Sequence, residues 1–306
     1  SEMCIRDRPR PYTPVALGSP PRGLCEGRMF PQSSEMGLGK LPGDIVMGLV
    51  LAIVNQKGGV GKSTTAVNLG ACLAERSHRI LLVDMDPQAN ATSGLGVRKR
   101  EVLVSMYDVL IRGEPLEGII LGTPVGNLDL APASIHLAGA EVELVNATGR
   151  EARLRAALAP VRERYDLLLV DCPPSLGLLT VNALVAADEA MIPIQCEYYA
   201  LEGLSQLVDS IALVRRHLNP SLRIGGVLLT MFDARTNLSQ QVVDEVRRYF
   251  KEKVFETVIP RSVRLAEAPS YGQPITRYDP SCRGAEAYRN LAKEVESRAG
   301  LLTRVP

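Results

Sequence analysis

Gln56-Lys57-Gly58-Gly59-Val60-Gly61-Lys62-Ser63-Thr64-Thr65 sits between an apolar run, residues 49–55, and an Ala- and Leu-rich segment with helical spacing, residues 62–75. A strand, a glycine-rich loop and a helix in that order form a cradle for an anion. Glycines at 58, 59 and 61 let the backbone wrap closely around the ligand. The loop N–H groups, with the following helix N-terminus, make an anion nest. Lys62 supplies a compact cation for the β- and γ-phosphates of a nucleoside triphosphate, and the Ser63 hydroxyl is placed to ligate Mg2+. A chance glycine-rich turn would bring none of this flanking context. One position departs from the general pattern G-x-x-x-x-G-K-[ST]: Gln56 stands where the first glycine is expected, and Lys57 follows it. Lys57 is either a surface charge or a second phosphate ligand, and geometry alone does not choose between them.

Three aspartates accompany the loop. Asp84 and Asp86 follow an apolar run in Asp84-Met85-Asp86-Pro87-Gln88-Ala89-Asn90, and Asp171 ends another in Asp171-Cys172-Pro173-Pro174-Ser175. Ligands of open α/β sheets sit beyond the carboxyl ends of the strands. Taken singly, an Asp after a strand is more often a helix cap. Together, beside one phosphate loop, the three suit Mg2+ binding and the positioning of water for attack on a γ-phosphate.

Further out, apolar runs alternate with helical patterns. Strands are expected over 49–55, 79–84, 128–131, 166–171, 189–193, 223–230 and 254–259. Helices are expected over 62–75, 105–111, 150–164, 178–186, 201–217, 238–250 and 284–297. Runs such as Leu167-Leu168-Leu169-Val170 are apolar on both faces, as in parallel strands covered by helices on each side. The expected fold is therefore α/β, a predominantly parallel twisted sheet with helices on both faces. Composition agrees: 46% of the 306 residues are hydrophobic, but only 4% are aromatic and none is Trp, so Leu, Val, Ile and Ala must build the core.

Residues 1–46 are rich in Pro and Gly, show no period, and are expected to be disordered and foreign to the domain, with Met47 a natural start. The net charge of +1 gives no global sign of a nucleic-acid or membrane partner. Six scattered cysteines without a C-x-x-C pair argue against a metal cluster or a disulfide framework. His78, His136 and His217 are isolated, and Met85 and Met191 are expected in the core. No apolar run reaches the length of a membrane span.

The motifs resemble a known family. Lys57-Gly58-Gly59-Val60-Gly61-Lys62-Ser63-Thr64 is similar to the deviant Walker A motif of the ParA/MinD superfamily of P-loop NTPases. Asp84-Met85-Asp86-Pro87-Gln88 and Asp171-Cys172-Pro173-Pro174 resemble its next two motifs. Three longer runs are similar to the chromosomal ParA/Soj partition ATPases: residues 195–203, Phe232-Asp233-Ala234-Arg235-Thr236-Asn237-Leu238, and residues 259–270. The resemblance covers roughly 49–298. It implies one P-loop ATPase domain over 47–300, with 301–306 a tail, and ATP and Mg2+ as cofactors. It implies that Lys57 reaches across an ATP-sandwich homodimer to the partner's phosphates, that Lys62 holds those of its own subunit, and that Gly58, Gly59, Val60, Gly61, Ser63 and Thr64 complete the cradle. Asp86 would activate the attacking water. Ser63 would bind Mg2+, with Asp86 and Asp171 acting on it through water. Pro260, with Met231 as a further candidate, would pack on the adenine.

The family's DNA-contacting arginines match Arg235 and Arg264. These lie in a cation-rich C-terminal third with Arg247, Arg248, Lys251, Lys253 and Arg261, where a solvated helix face is the preferred reading for Arg247, Arg248 and Lys251. The resemblance thus implies a cytoplasmic, nucleoid-associated, ATP-dependent DNA-segregation switch. It would bind double-stranded DNA nonspecifically, answer to a ParB-like partner, and make no stable membrane association. Two rivals differ in class. A MinD-like membrane switch needs a basic amphipathic C-terminal helix, which Glu294 and Glu296 dilute. An amide-forming enzyme on the same scaffold needs a substrate lobe that the sequence does not offer.

Overall fold

The computed structural model describes residues 47–197 and 204–301, so the expectations for 1–46, for 198–203 and for the last five residues lie outside the described residues. The strands are β1 (Leu49–Ile53), β2 (Ile80–Asp84), β3 (Leu121–Gly122), β4 (Leu128–Ala131), β5 (Leu167–Asp171), β6 (Glu189–Gln195), β7 (Arg223–Phe232) and β8 (Val254–Pro260). They form one sheet in the order β3-β4-β2-β5-β1-β6-β7-β8. Every neighbouring pair is parallel except β3 and β4.

The helices are α1 (Lys62–Glu75), α2 (Asn90–Gly94), α3 (Leu137–Glu143), α4 (Arg153–Leu158), α5 (Leu178–Ala186), α6 (Leu204–His217), α7 (Asn237–Phe250), α8 (Val263–Glu267), α9 (Ile275–Tyr278) and α10 (Arg283–Ala299). Alternation along the strands divides the core in two. Val50, Ala52, Leu168 and Val170 face one side with residues of α4 to α7. Leu51, Ile53, Leu167 and Leu169 face the other with residues of α1, α2 and α10. The sheet is thus buried on both faces, as its continuous apolar runs require.

Two expected helices take a different form. Over 150–164 the chain forms only α4 and a separate 3-10 turn, Arg162–Arg164. Pro160 lies between them and cannot continue a helical hydrogen-bond ladder. Over 105–111 the backbone winds into a π-helical turn, Asp108–Arg112, which ends at Gly113 with φ of 76°. The Asp108 carboxylate accepts hydrogen bonds from Ser105 N at 2.8 Å and from Arg112 at 2.8 Å, holding both ends of that turn.

The free edge of β8 is covered by side chains of α10. Glu294 accepts hydrogen bonds from Glu256 N at 2.9 Å and Thr257 N at 2.7 Å. Arg298 donates to Val254 O at 2.8 Å and Lys253 O at 3.2 Å, and its guanidinium lies 4.2 Å from the Phe255 ring centroid. An uncovered edge strand is a template for pairing with another chain. Glu294→Ala is expected to lower stability by about 1–2 kcal/mol and to promote self-association. Urea denaturation and light scattering check this, and an unchanged midpoint with a monodisperse solution would refute it.

Candidate nucleotide-binding site

The glycine-rich loop leaves β1 where the sheet's connections diverge, with β5 on one side and β6 on the other. That is where open α/β sheets bind ligands. Asn55 donates to Pro193 O at 2.6 Å, tying the start of the loop to β6, and accepts from Lys57 N at 2.9 Å. Thr230 on β7 donates to Val60 O at 2.9 Å. Gly59 and Gly61 take φ of 74° and 89°, the left-handed region that side chains disfavour. The loop then enters α1, whose Thr65 hydroxyl lies 3.3 Å from the Tyr288 hydroxyl of α10.

The loop walls a cavity of about 420 Å3. Gly58, Gly59, Gly61, Lys62, Ser63 and Thr64 form one side, and Asp86, Gln88, Asn90 and Pro174 form another. Val60 is buried and does not line the cavity. Lys62 is 6% exposed, and its ammonium donates to Lys57 O at 3.1 Å. Burial lowers its pKa, against the opposing pull of Asp171, Cys172 and Asp86. A buried cation facing a glycine-lined hollow is poised for an anion. The Lys57 side chain, by contrast, is not among the groups lining this cavity.

The three aspartates divide into different environments. Asp86 lines the cavity; its N–H donates to Asp84 at 3.1 Å, and its own Oδ1 accepts from Gln88 N at 2.9 Å. Asp171 lies behind the wall, 0% exposed, with neither carboxylate oxygen in a hydrogen bond of good geometry. Burial raises its pKa well above the usual carboxylate range, and the neighbouring Asp84 adds to this; Ser63 and Lys62 favour the charged form. An orphaned carboxylate beside a serine hydroxyl fits a hydrated hard cation, whose water or charge would supply what the protein leaves out. Asp84 is buried and absent from the cavity lining. Burial raises its pKa to about 6, opposed by hydrogen bonds from Thr92 and Asp86.

Met231 lines the cavity in a left-handed backbone conformation, φ 54°. Pro260 does not line it. It sits in a second cleft, of about 700 Å3, with Phe232, Arg235 and Arg261. Arg235 is exposed there and grips Asp233 in a two-pronged ion pair at 2.9 and 2.7 Å, which holds that carboxylate's pKa below the usual range. Arg264 on α8 is also exposed and pairs with Glu267 at 3.0 Å. Such surface pairs are easily exchanged for another anion.

The sequence reading missed the cavity's far wall: Asn68 of α1, Ser93 and Gly94 of α2, and Pro269 and Gln273. Pro269 lies within a quoted motif, but Asn68 and Gln273 carry no signal that separates them from ordinary helix and turn residues. Asn68 accepts from Ile275 N at 2.6 Å and so fixes this wall against α1. Among the described residues no cluster of His, Cys, Asp and Glu could by itself hold a metal. Nor is any helix there long and apolar enough to cross a membrane.

Comparison with known proteins places this geometry. The AAA domain family profile matches residues 48–224. The sporulation initiation inhibitor protein Soj of Bacillus subtilis is 62% identical over 81% of this chain and 98% of its own length. The chromosome partitioning protein ParA of Myxococcus xanthus is 54% identical over 82% of this chain and 89% of its own. Among solved structures, cobyrinic acid a,c-diamide synthase from Mycobacterium smegmatis with bound ADP and magnesium is similar, with a TM-score of 0.73 at 38% identity, over 85% of this chain and 100% of that one. A glycine-rich loop with a buried lysine, carboxylates at neighbouring strand ends and likeness along nearly the whole of these relatives lead to one assignment: the chain belongs to the ParA/Soj family of chromosome-partitioning ATPases.

Proposed function

We propose that the chain is an ATP-dependent DNA-segregation switch whose ATP-bound state is a sandwich homodimer that binds double-stranded DNA without sequence preference. The observation that carries this reading is the division between two lysines. Lys62 is buried in the cavity wall, while the Lys57 side chain stands outside the lining of its own cavity. A cation at the loop's start that does not serve its own pocket is available to the phosphates of a second copy.

Lys62 and the N–H groups from Gly58 to Thr64 hold the triphosphate, and Met231, which lines the cavity, flanks the base. Ser63 would hold Mg2+, with Asp86 and Asp171 acting on its water shell. The cation, when bound, neutralises charge on the β- and γ-phosphates. Asp86 orients the attacking water. Hydrolysis, stimulated by a ParB-like partner, removes the γ-phosphate that both copies grip, and the dimer and its DNA complex come apart. Arg235 and Arg264, exposed on the surface, exchange their carboxylate partners for DNA phosphates, and two copies double those contacts. The setting is the cytoplasm, on the nucleoid.

The test is a DNA titration with and without ATP and Mg2+. Binding that tightens with ATP supports the switch, and equal affinity in both states refutes it. In the ATP state, affinity should fall with salt, and Arg235→Ala should reduce the log–log slope by about one to two, one for each copy. An unchanged slope would remove Arg235 from the DNA surface. The likeness to the diamide synthase favours a second reading, an amide-forming ATPase. ATP turnover that needs an amide-nitrogen donor and ignores DNA would support that reading instead.

A further inference from the structure

Asp84 is the one aspartate of the three that neither lines the cavity nor stands with its oxygens unpartnered. Its Oδ2 accepts from Thr92 N at 2.8 Å and from the Thr92 hydroxyl at 2.7 Å, and its Oδ1 accepts from Asp86 N at 3.1 Å. All three donors belong to the segment that carries Asp86, Gln88, Asn90 and Ser93 to the cavity. Thr92 is held from the other side as well, since Ala133 N donates to its hydroxyl at 3.0 Å. Asp84 also stands in register opposite Asp171 on β5, and Met85 N donates to Asp171 O at 2.9 Å. One buried carboxylate therefore fixes the Asp86 segment at both ends, against the very strand end that bears Asp171.

A role as a simple helix cap accounts for less. Capping α2 needs one acceptor for one N–H. Asp84 accepts three hydrogen bonds from two residues eight and two positions on, in a site with no solvent exposure where a carboxylate is costly unless its partners are fully formed. Such a fully connected arrangement holds its members in one geometry.

We propose that Asp84, acting through Thr92, is the positioning residue that aims Asp86 at the attacked phosphate and holds α2 as the cavity wall. This rests on the reading of Asp86 as the residue that orients water. The phosphate loop itself takes no hydrogen bond from Asp84, so triphosphate affinity is set separately from the aim of Asp86. Thr92→Val keeps the shape of Thr92 but removes the hydroxyl from between Asp84 and Ala133. Thr92→Ser keeps that hydroxyl.

The experiment measures phosphate release at saturating and limiting ATP, with Mg2+ and nonspecific DNA, on the full chain, together with binding of a fluorescent ATP analogue. Asp86→Ala is run in parallel, at a temperature where circular dichroism shows every variant folded. Thr92→Val should lower kcat about 10- to 100-fold, the scale of a misplaced catalytic group, while KM and analogue affinity change less than about threefold. Thr92→Ser should recover most of kcat. Asp84→Asn should lose kcat in the same way, since its amide cannot accept from Thr92 while its oxygen accepts from Asp86. An inactive Asp86→Ala beside a fully active Thr92→Val overturns the positioning role alone. A fully active Asp86→Ala overturns the catalytic reading and the positioning role with it. Equal losses in kcat and analogue affinity for Thr92→Val and Thr92→Ser would mark a merely structural residue and also overturn the proposal.

Discussion

Lys62→Ala is expected to abolish ATP-dependent behaviour at its first step, by weakening triphosphate binding at least about 100-fold. The reason is in the surroundings of the ammonium. Lys62 is almost wholly buried, its ammonium donates to one carbonyl within the protein, and it feels the carboxylates Asp171 and Asp86. Burial works against its charge, so an anion arriving in the cavity gains from a cation that is poorly satisfied without it. Alanine removes that cation and leaves only the loop N–H groups to hold the incoming phosphates against the repulsion of the carboxylates. Lys62→Arg is not a conservative repair, because a planar fork does not fit where a point charge does. Thermal melts give a direct check. The parent protein should gain stability with ATP and Mg2+ as ligand linkage requires, and the variant should show no such gain. DNA binding by the variant should then be the same with and without ATP. An ATP-induced shift of parental size in Lys62→Ala would show that the phosphates are held elsewhere.

How far the sequence revealed this architecture depended on how local each signal was. The phosphate loop was legible because its chemistry fixes residue types at fixed spacing: glycines at 58, 59 and 61, then a lysine and a hydroxyl. Strands β2 and β5 were legible because burial on both faces leaves them uniformly apolar. By contrast, β3 is two residues long and exists only through its antiparallel pairing with β4. Helices α2, α8 and α9 are too short to show a period. The expected 150–164 helix breaks at Pro160, a local signal that outweighs the helical spacing around it. The far wall of the cavity joins Asn68 to Gln273 across some two hundred residues of chain, and spacing carries no information at that range. The aspartates show the limit most clearly. Asp84 and Asp86 are two positions apart, and spacing alone groups both with Asp171 for Mg2+ binding and water positioning. The fold turns Asp84 inward to Thr92 and Asp86 outward to the cavity.

Asp86→Ala should separate binding from turnover, which Lys62→Ala cannot do. Asp86 contributes no hydrogen bond to the phosphate loop. Its backbone N–H is engaged with Asp84, one of its carboxylate oxygens accepts from Gln88 N, and the side chain borders the cavity beside Ser63. Removing that carboxylate leaves Lys62 and the loop N–H groups in place, so ATP affinity should stay within about threefold. Hydrolysis should fall by roughly two to four orders of magnitude, the range expected when a positioned base is lost. The loss of the turn closed by Gln88 N should cost only about 1 kcal/mol, the net worth of an ordinary hydrogen bond, too little to unfold the protein. With the γ-phosphate retained, the ATP-bound dimer and its DNA complex should persist long after the parent protein has released both. Size-exclusion chromatography with light scattering, followed over time after ATP addition, reads the dimer, and dissociation from labelled duplex reads the DNA complex. Parental hydrolysis in Asp86→Ala would refute the catalytic assignment. Arrested hydrolysis with unchanged DNA release would refute the link between hydrolysis and release. In the proposed switch the two lysines bind ATP and Asp86 times its loss, and Asp86→Ala, unlike Lys62→Ala, tests that timing apart from binding.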